Sequence, residues 1–153
     1  ILRENVRNLK LKDVEVVSAA VGDTNGTITF VPEGTLSGRV DEGDGCLVES
    51  IRLSDRITTT VDFLKIDIEG SEFRLLADLC ATGKIGLVKH IVCEVHGNGD
   101  SQEKLAQIVI DLSQAGFRIA MSQLAGAKGN PTPFPTVSSD GFILLLYAWQ
   151  QKT

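Results

Sequence analysis

Two short stretches of this sequence carry acidic and imidazole side chains where a predicted strand ends. Asp67 and Glu69 lie in "KIDIEGSE", and Glu94 and His96 lie in "CEVHGNG". Residues two apart in a strand point to the same face, and ligands of open α/β sheets bind at the carboxyl ends of the strands. If the two strands are neighbours, these side chains line one cleft. Such a set could bind a cation, position a hydroxyl-bearing substrate or transfer a proton.

Asp67 is the member of this set whose position is hardest to explain by structure alone. It stands between Ile66 and Ile68 at the end of a strand that the pattern places in the centre of a sheet. A carboxylate beside an apolar core is costly unless it is paired or performs a function. We therefore favour a functional role for Asp67.

The other members of the set have simpler structural interpretations as well. Glu69 and Glu72 could complement the dipole of the helix that follows them. Glu94 could form an ion pair with Lys65 or Lys89 across strands, and His96 could be a surface histidine in a loop. These alternatives remain open from the sequence.

The elements that would position these residues follow from hydrophobic periodicity and turn signals. The pattern indicates one α/β domain with a mostly parallel sheet, in which one of the last two strands is antiparallel because no helix separates them. The glycine-rich segment 32–47 and the proline-rich segment 123–141 are predicted loops. We predict strands over 14–21, 27–31, 48–53, 61–68, 90–95, 117–122 and 142–149, with helices at the start of the chain, after Ser71 and over 101–115.

Composition narrows the classes of function. The 153 residues carry a net charge of −5, which gives no electrostatic footprint for nucleic acid or anionic lipid. The longest apolar run, residues 142–149, is too short to span a bilayer. The 3 cysteines are widely spaced and form no Cys-x-x-Cys pair, which argues against a disulfide framework and for a reducing compartment. A cytoplasmic protein is expected, with no nucleic-acid or membrane partner.

Three motifs resemble one known family. They are "LKIDIEGSE" at 64–72, "EVH" at 94–96 and "AAVGDTNGTITF" at 19–30, the last following a predicted amphipathic helix. Their order and spacing are similar to those of the FkbM family of S-adenosylmethionine-dependent methyltransferases across nearly the whole chain. The resemblance implies a class I, Rossmann-like sheet whose last strand is antiparallel. It also implies methyl transfer to a hydroxyl of a sugar or secondary metabolite.

The chain also departs from the family pattern. The glycine-rich loop that cradles the methionine end of the cofactor is absent, and so is the acidic residue that holds the ribose hydroxyls. The resemblance therefore implies that residues 1–153 form a single partial methyltransferase domain that lacks the first two strands. Those strands would lie between 14–21 and 61–68, whose edges would then be exposed. We expect such a piece to rearrange, to pair with another copy through these edges or to be marginally stable.

The resemblance also implies positions for the cofactor. Val21, Gly22 and Asp23 would lie beside the adenine of S-adenosylmethionine, and Asp67 would face the sulfonium and the acceptor.

The same resemblance implies roles at the acceptor. Glu69 and His96 would bind or deprotonate the acceptor hydroxyl, and Glu94 would orient its neighbours or share a cation. A histidine is the better base near neutral pH.

Two other functions remain open. Asp67, Glu69, Glu94 and His96 could instead be the Mg²⁺ or Mn²⁺ ligands of a metal-dependent hydrolase. The missing cofactor loop also allows a non-catalytic fragment that binds neither cofactor nor metal.

Overall fold

A computed structural model describes residues 1–33, 37–40, 45–125 and 142–150 of the protein. It contains two four-stranded sheets and four α-helices in these residues. Short 3₁₀ helices also occur at Lys84–Leu87 and Gly99–Ser101. In chain order, the main elements are α1 (Leu2–Asn8), β1 (Ala20–Gly22), β2 (Gly26–Glu33), β3 (Ser37–Val40), β4 (Cys46–Arg52), α2 (Leu53–Arg56), β5 (Leu64–Ile66), α3 (Glu72–Ala81), β6 (His90–Gly97), α4 (Gln102–Gln114), β7 (Phe117–Ala125) and β8 (Phe142–Gln150).

The C-terminal sheet has the strand order β5-β6-β8-β7. β5 and β6 are parallel, whereas β8 is antiparallel to both of its neighbours. β5, β6 and β7 therefore run in one direction and only the last strand is reversed. This confirms the predicted antiparallel last strand. The segment that joins β7 to β8, and with it most of the predicted loop 123–141, lies outside the described residues.

The hydrophobic core lies between this sheet and helices α3 and α4. In β6, residues Ile91, Cys93 and Val95 alternate with half-buried residues and are themselves buried, as a strand covered on one face requires. The apolar stripe of α3 is buried against them through residues such as Leu76 and Leu79. Each fully buried leucine contributes roughly 1.5–3 kcal/mol relative to an exposed one. The predicted strand over 90–95 and the predicted helices after Ser71 and over 101–115 are therefore confirmed.

The N-terminal sheet has the order β1-β4-β2-β3. β2 and β4 form the antiparallel pair predicted from their alternating residues, while β1 joins β4 in parallel. The predicted loop 32–47 is wrong in part, because β2 continues to Glu33 and β3 pairs with it. Residues 34–36 and 41–44 of that loop lie outside the described residues.

The predicted strand over 14–21 is also wrong for most of its length. Only Ala20–Gly22 forms a strand, and Val14 and Val17 are exposed. A run of valines favours a strand only when neighbours are present to pair with it and cover it. β1 pairs with β4 alone in the described part of the chain.

The sequence predicted one sheet, whereas the structure contains two. A groove separates them. It has a volume of about 330 Å³ and is lined mainly by apolar side chains. β5 borders it with an edge that pairs with no strand among the described residues. β1 and β5 are each at the end of a sheet, and one edge of each has no partner strand among the described residues. The residues that line the groove are Val21, Leu53, Leu64, Lys65, Ile66, Asp67, Ile68 and Leu75.

Ion pairs between described residues nevertheless connect the N-terminal sheet to α3. Arg52, at the end of β4, forms an ion pair with Asp78, and Arg74 lies 4.0 Å from Asp23.

Among the described residues, no helix is both long enough and apolar enough to cross a membrane.

Candidate functional site

The turn between β5 and α3 positions the acidic residues of the site. β5 ends at Ile66, one residue earlier than Asp67, so the predicted strand over 61–68 is too long. Glu69 and Gly70 both adopt positive φ angles, of 53° and 101°. Glycine accepts this conformation freely, whereas a residue with a Cβ atom adopts it at a cost of roughly 1–2 kcal/mol. The turn is therefore strained at Glu69, a residue predicted to face the cleft.

The buried side chain of Glu72 stabilises this turn. Its side chain is fully buried at the first turn of α3. The carboxylate accepts hydrogen bonds from the backbone N–H of Ile68 at 3.2 Å and from that of Gly70 at 3.0 Å. A buried carboxylate requires such donors because burial removes its water.

The same carboxylate holds His96. Oε1 of Glu72 lies 2.9 Å from Nδ1 of His96, near the end of β6. An ionised carboxylate only accepts hydrogen bonds, so Nδ1 of His96 is the donor. In the neutral imidazole the lone pair is then on Nε2. Nε2 of His96 lies 3.5 Å from Oε2 of Glu69.

Three of the four predicted catalytic residues come together in this way. One ligand atom each from Asp67, Glu69 and His96 lies within 4.8 Å of the other two. Their side chains are 36%, 43% and 19% exposed, so the group opens to solvent. We call these three residues the turn cluster.

Glu94, the fourth predicted catalytic residue, faces a lysine instead of the turn cluster. Nζ of Lys65 lies 2.8 Å from Oδ2 of Asp67 and 3.8 Å from Oε1 of Glu94. The hydrogen bond with Asp67 raises the pKa of Lys65, which stays charged. The ion pair between Lys65 and Glu94 is the structural interpretation that the sequence offered for Glu94.

The surroundings of the turn cluster are strongly negative. The carboxylates of Asp67, Glu69, Glu72 and Glu94 contact one lysine and one histidine. The thiol of Cys93 lies near these carboxylates. Burial raises the pKa of this thiol, and the nearby carboxylates raise it further, with the largest contribution from Glu72.

The residues predicted to bind the cofactor lie at the end of β1. Val21 lines the same groove as Asp67, and Gly22 pairs with Arg52 of β4. The carboxylate of Asp23 faces Arg74 of α3 at 4.0 Å. The structure therefore brings Val21 and Asp67 to one groove and leaves Asp23 beside a helix.

The sequence interpretation missed the contribution of Glu72. The residue was assigned only to the helix dipole, because its contact with His96 joins positions 24 residues apart in the chain. The available signal was its place in "DIEGSE", where a third acid follows a glycine turn.

Comparison with known proteins decides the family. The model of the methyltransferase FkbM domain matches residues 2–119. The chain belongs to the FkbM methyltransferase family. No curated protein and no solved structure gives a significant match. The matched range includes β1, the turn cluster and Glu94, so the resemblance seen in the motifs is confirmed. The FkbM match does not favour the metal-dependent hydrolase.

Proposed function

We propose that this protein is an S-adenosylmethionine-dependent methyltransferase that acts on a hydroxyl group of a sugar or secondary metabolite. The observation that carries the proposal is the turn cluster, which lies at the carboxyl ends of two parallel neighbouring strands in an FkbM-family chain. Ligand sites of α/β sheets occur at this end of the strands. The cluster is also open to solvent, as an acceptor site must be.

The cofactor would lie beside the turn cluster, between the ends of β5 and β1. Asp67 has a carboxylate that suits the positive charge of a sulfonium, and Val21 offers an apolar contact to the adenine. Gly22, the next residue of β1, would complete that wall, whereas Asp23 faces Arg74 of α3. The residues present therefore fit the adenine and sulfonium parts of the group. When bound, S-adenosylmethionine supplies an electrophilic methyl carbon.

The chain's own residues would prepare the acceptor oxygen. Glu72 fixes the ring of His96 so that Nε2 faces the opening beside Glu69. The acceptor hydroxyl would bind there, and Glu69 and His96 would favour loss of its proton as the new O–C bond forms. Methyl transfer mainly requires the oxygen and the methyl carbon to be held in line, so the rigid support of His96 matters as much as its basicity.

We also propose that the described sheets belong to one Rossmann-like class I sheet and that residues 1–153 are part of a larger catalytic domain. The strand order β5-β6-β8-β7, the unpaired edge of β5 and the apolar groove beside it support this. Two further strands would join β1 to β5, and the cofactor would bind at the carboxyl ends of the strands, beside Val21 and Asp67. Unpaired edges also favour pairing with a second copy. Sedimentation analysis should then detect a dimer. A monomer with one cooperative unfolding transition would contradict this expectation.

A reducing compartment such as the cytoplasm is proposed for the protein. Cys46, Cys80 and Cys93 are all free, which suits that setting. No nucleic-acid or membrane partner is proposed. Retention of the protein in the soluble cytosolic fraction of its own cells would support this location, and secretion would contradict it.

The function is tested by methyl transfer from radiolabelled S-adenosylmethionine to a panel of hydroxylated acceptors. His96→Asn should lower the rate by about 10²-fold or more, the usual contribution of a positioned proton-transfer group. Glu103→Gln, an exposed change in α4, is the matched control and should leave the rate unchanged. Equal rates in the wild type and His96→Asn would refute the assignment of the site.

Cofactor binding is tested separately from turnover. Calorimetric titration with S-adenosylhomocysteine should be made on this chain and on any longer product of the same gene. Binding that Asp67→Asn weakens would support the proposed cofactor position. Absence of binding by both proteins would contradict the proposed function.

A further inference from the structure

We propose that the turn cluster binds a divalent cation through Asp67, Glu69 and His96. The ligand atoms already lie within 4.8 Å of one another. Ligands on opposite sides of Mn²⁺, Mg²⁺ or Zn²⁺ are roughly 4.0–4.4 Å apart, because each lies about 2.0–2.2 Å from the metal. At most two of the three ligand atoms can be opposite each other, and adjacent ligands of an octahedral ion are roughly 2.8–3.1 Å apart, so the exposed side chains must move by up to roughly 2 Å to close the site.

The orientation of His96 supports a cation independently of the acids. Nδ1 of His96 lies 2.9 Å from the buried carboxylate of Glu72, and Nε2, the other ring nitrogen, lies 3.5 Å from Oε2 of Glu69. A histidine that ligates a metal through one nitrogen commonly donates its other N–H to a carboxylate in this way.

The local charge favours the same conclusion. Four carboxylates share one lysine and one histidine. Lys65 donates to Oδ2 of Asp67, and the other carboxylate oxygen of Asp67 has no hydrogen-bond partner among the described residues. A divalent cation would neutralise the negative charge of the carboxylates that Lys65 alone does not neutralise.

The ligand set also indicates which cation fits. Two carboxylates and one imidazole suit Mn²⁺ better than Ca²⁺, which prefers oxygen ligands alone. Three protein ligands leave open coordination positions, and the exposed side of the cluster lets a water or a hydroxyl reach them. Glu94 lies outside the group of side chains whose ligand atoms come within 4.8 Å of one another. The set therefore differs from the four-residue hydrolase site considered from the sequence.

Cation binding rests on these side chains alone. Only its consequence, that the acceptor oxygen binds the cation while Glu69 and His96 hold it, rests on the proposed function. Binding of the metal without any methyl transfer would thus support this inference and count against the proposed function. Methyl transfer that chelators leave unchanged, together with no metal binding, would support the proposed function and contradict this inference.

The test uses the 153-residue chain, with free Mn²⁺ followed by electron paramagnetic resonance. We expect one saturable site, which Asp67→Asn and His96→Asn each weaken at least about tenfold. Glu94→Gln and the distant Glu103→Gln should change the affinity by less than about threefold, because neither side chain is a ligand. Circular dichroism of each variant checks that it is folded.

A second measurement identifies the ligand atom. Zn²⁺, which is diamagnetic, should shift the ¹⁵N resonance of Nε2 of His96 in the wild-type protein. His90, the other of the 2 histidines, is the internal control and should not respond. No saturable Mn²⁺ site, equal weakening in Glu103→Gln, or a Zn²⁺ response at His90 in place of His96 would overturn the proposal.

Discussion

Replacing Asp78 by Asn tests an ion pair that connects the N-terminal sheet to α3. Nε of Arg52 donates to Oδ1 and Oδ2 of Asp78 at 3.1 and 3.3 Å, and Nη2 of Arg52 also donates to Oδ1. The Asp78 side chain is 11% exposed. We expect Asp78→Asn to lower the free energy of unfolding by about 1–2 kcal/mol, because charged hydrogen bonds are lost while the half-exposed Arg52 regains water.

The effect should also depend on pH. The hydrogen bond from Arg52 lowers the pKa of Asp78 below its usual value. At a pH below about 3.9, the unfolded chain binds a proton at this position before the folded protein does. The stabilisation by Asp78 is therefore complete above that pH and is lost as the pH falls through the lower folded value. The wild type and Asp78→Asn should converge in stability over this acidic window.

Urea unfolding followed by circular dichroism at pH 7 and at pH 3 measures both quantities. The matched control is Asp62→Asn, which removes an ion pair with Lys89 of similar length in which the Asp62 side chain is 84% exposed. That change should have no measurable effect, because exposed pairs are well solvated. If Asp78→Asn and Asp62→Asn behave alike at pH 7, the reasoning that burial gives the Arg52–Asp78 pair its energy is wrong.

Three further predictions concern the site and its strand. In the folded protein, exposed Cys46 should react with a thiol reagent at pH 8 much faster than Cys93, because burial raises the pKa of Cys93; equal rates would contradict this. Glu69→Gly should raise the free energy of unfolding by about 0.5–1 kcal/mol through relief of positive φ, whereas Glu69→Ala should not, as urea titration would test. Gly97→Ala should lower the melting temperature, because a Cβ there clashes with the Phe142 ring; an unchanged value would refute the clash.

The sequence was sufficient to predict most of the C-terminal half of the fold, in which a sheet packs against helices α3 and α4. The periodicity of α3, β6 and β8 reflects which face each element buries, and this is a local property of the chain. The lack of a helical pattern between the last two predicted strands indicated that one of them is antiparallel, and the FkbM resemblance assigned this direction to the last strand, as the structure shows. The motif "LKIDIEGSE" and the family match agree because both depend on residue order alone.

The sequence was insufficient where an element depends on a partner distant in the chain. The run over 14–21 has strand composition, yet only Ala20–Gly22 finds a neighbour, so a strand of eight residues was predicted where three form one. The single predicted sheet became two sheets separated by a groove for the same reason. Strand pairing depends on the tertiary structure, whereas composition indicates only that a segment favours a strand.

The site shows the same division. Sequence alone identified Asp67, Glu69 and His96 as residues that could act together, because acids and a histidine end two predicted strands. Only the tertiary structure separated Glu94 from them and supplied Glu72 as the support of His96. A hydrogen bond that spans 24 residues depends on how a turn and a helix pack against a strand, and no local pattern contains that geometry.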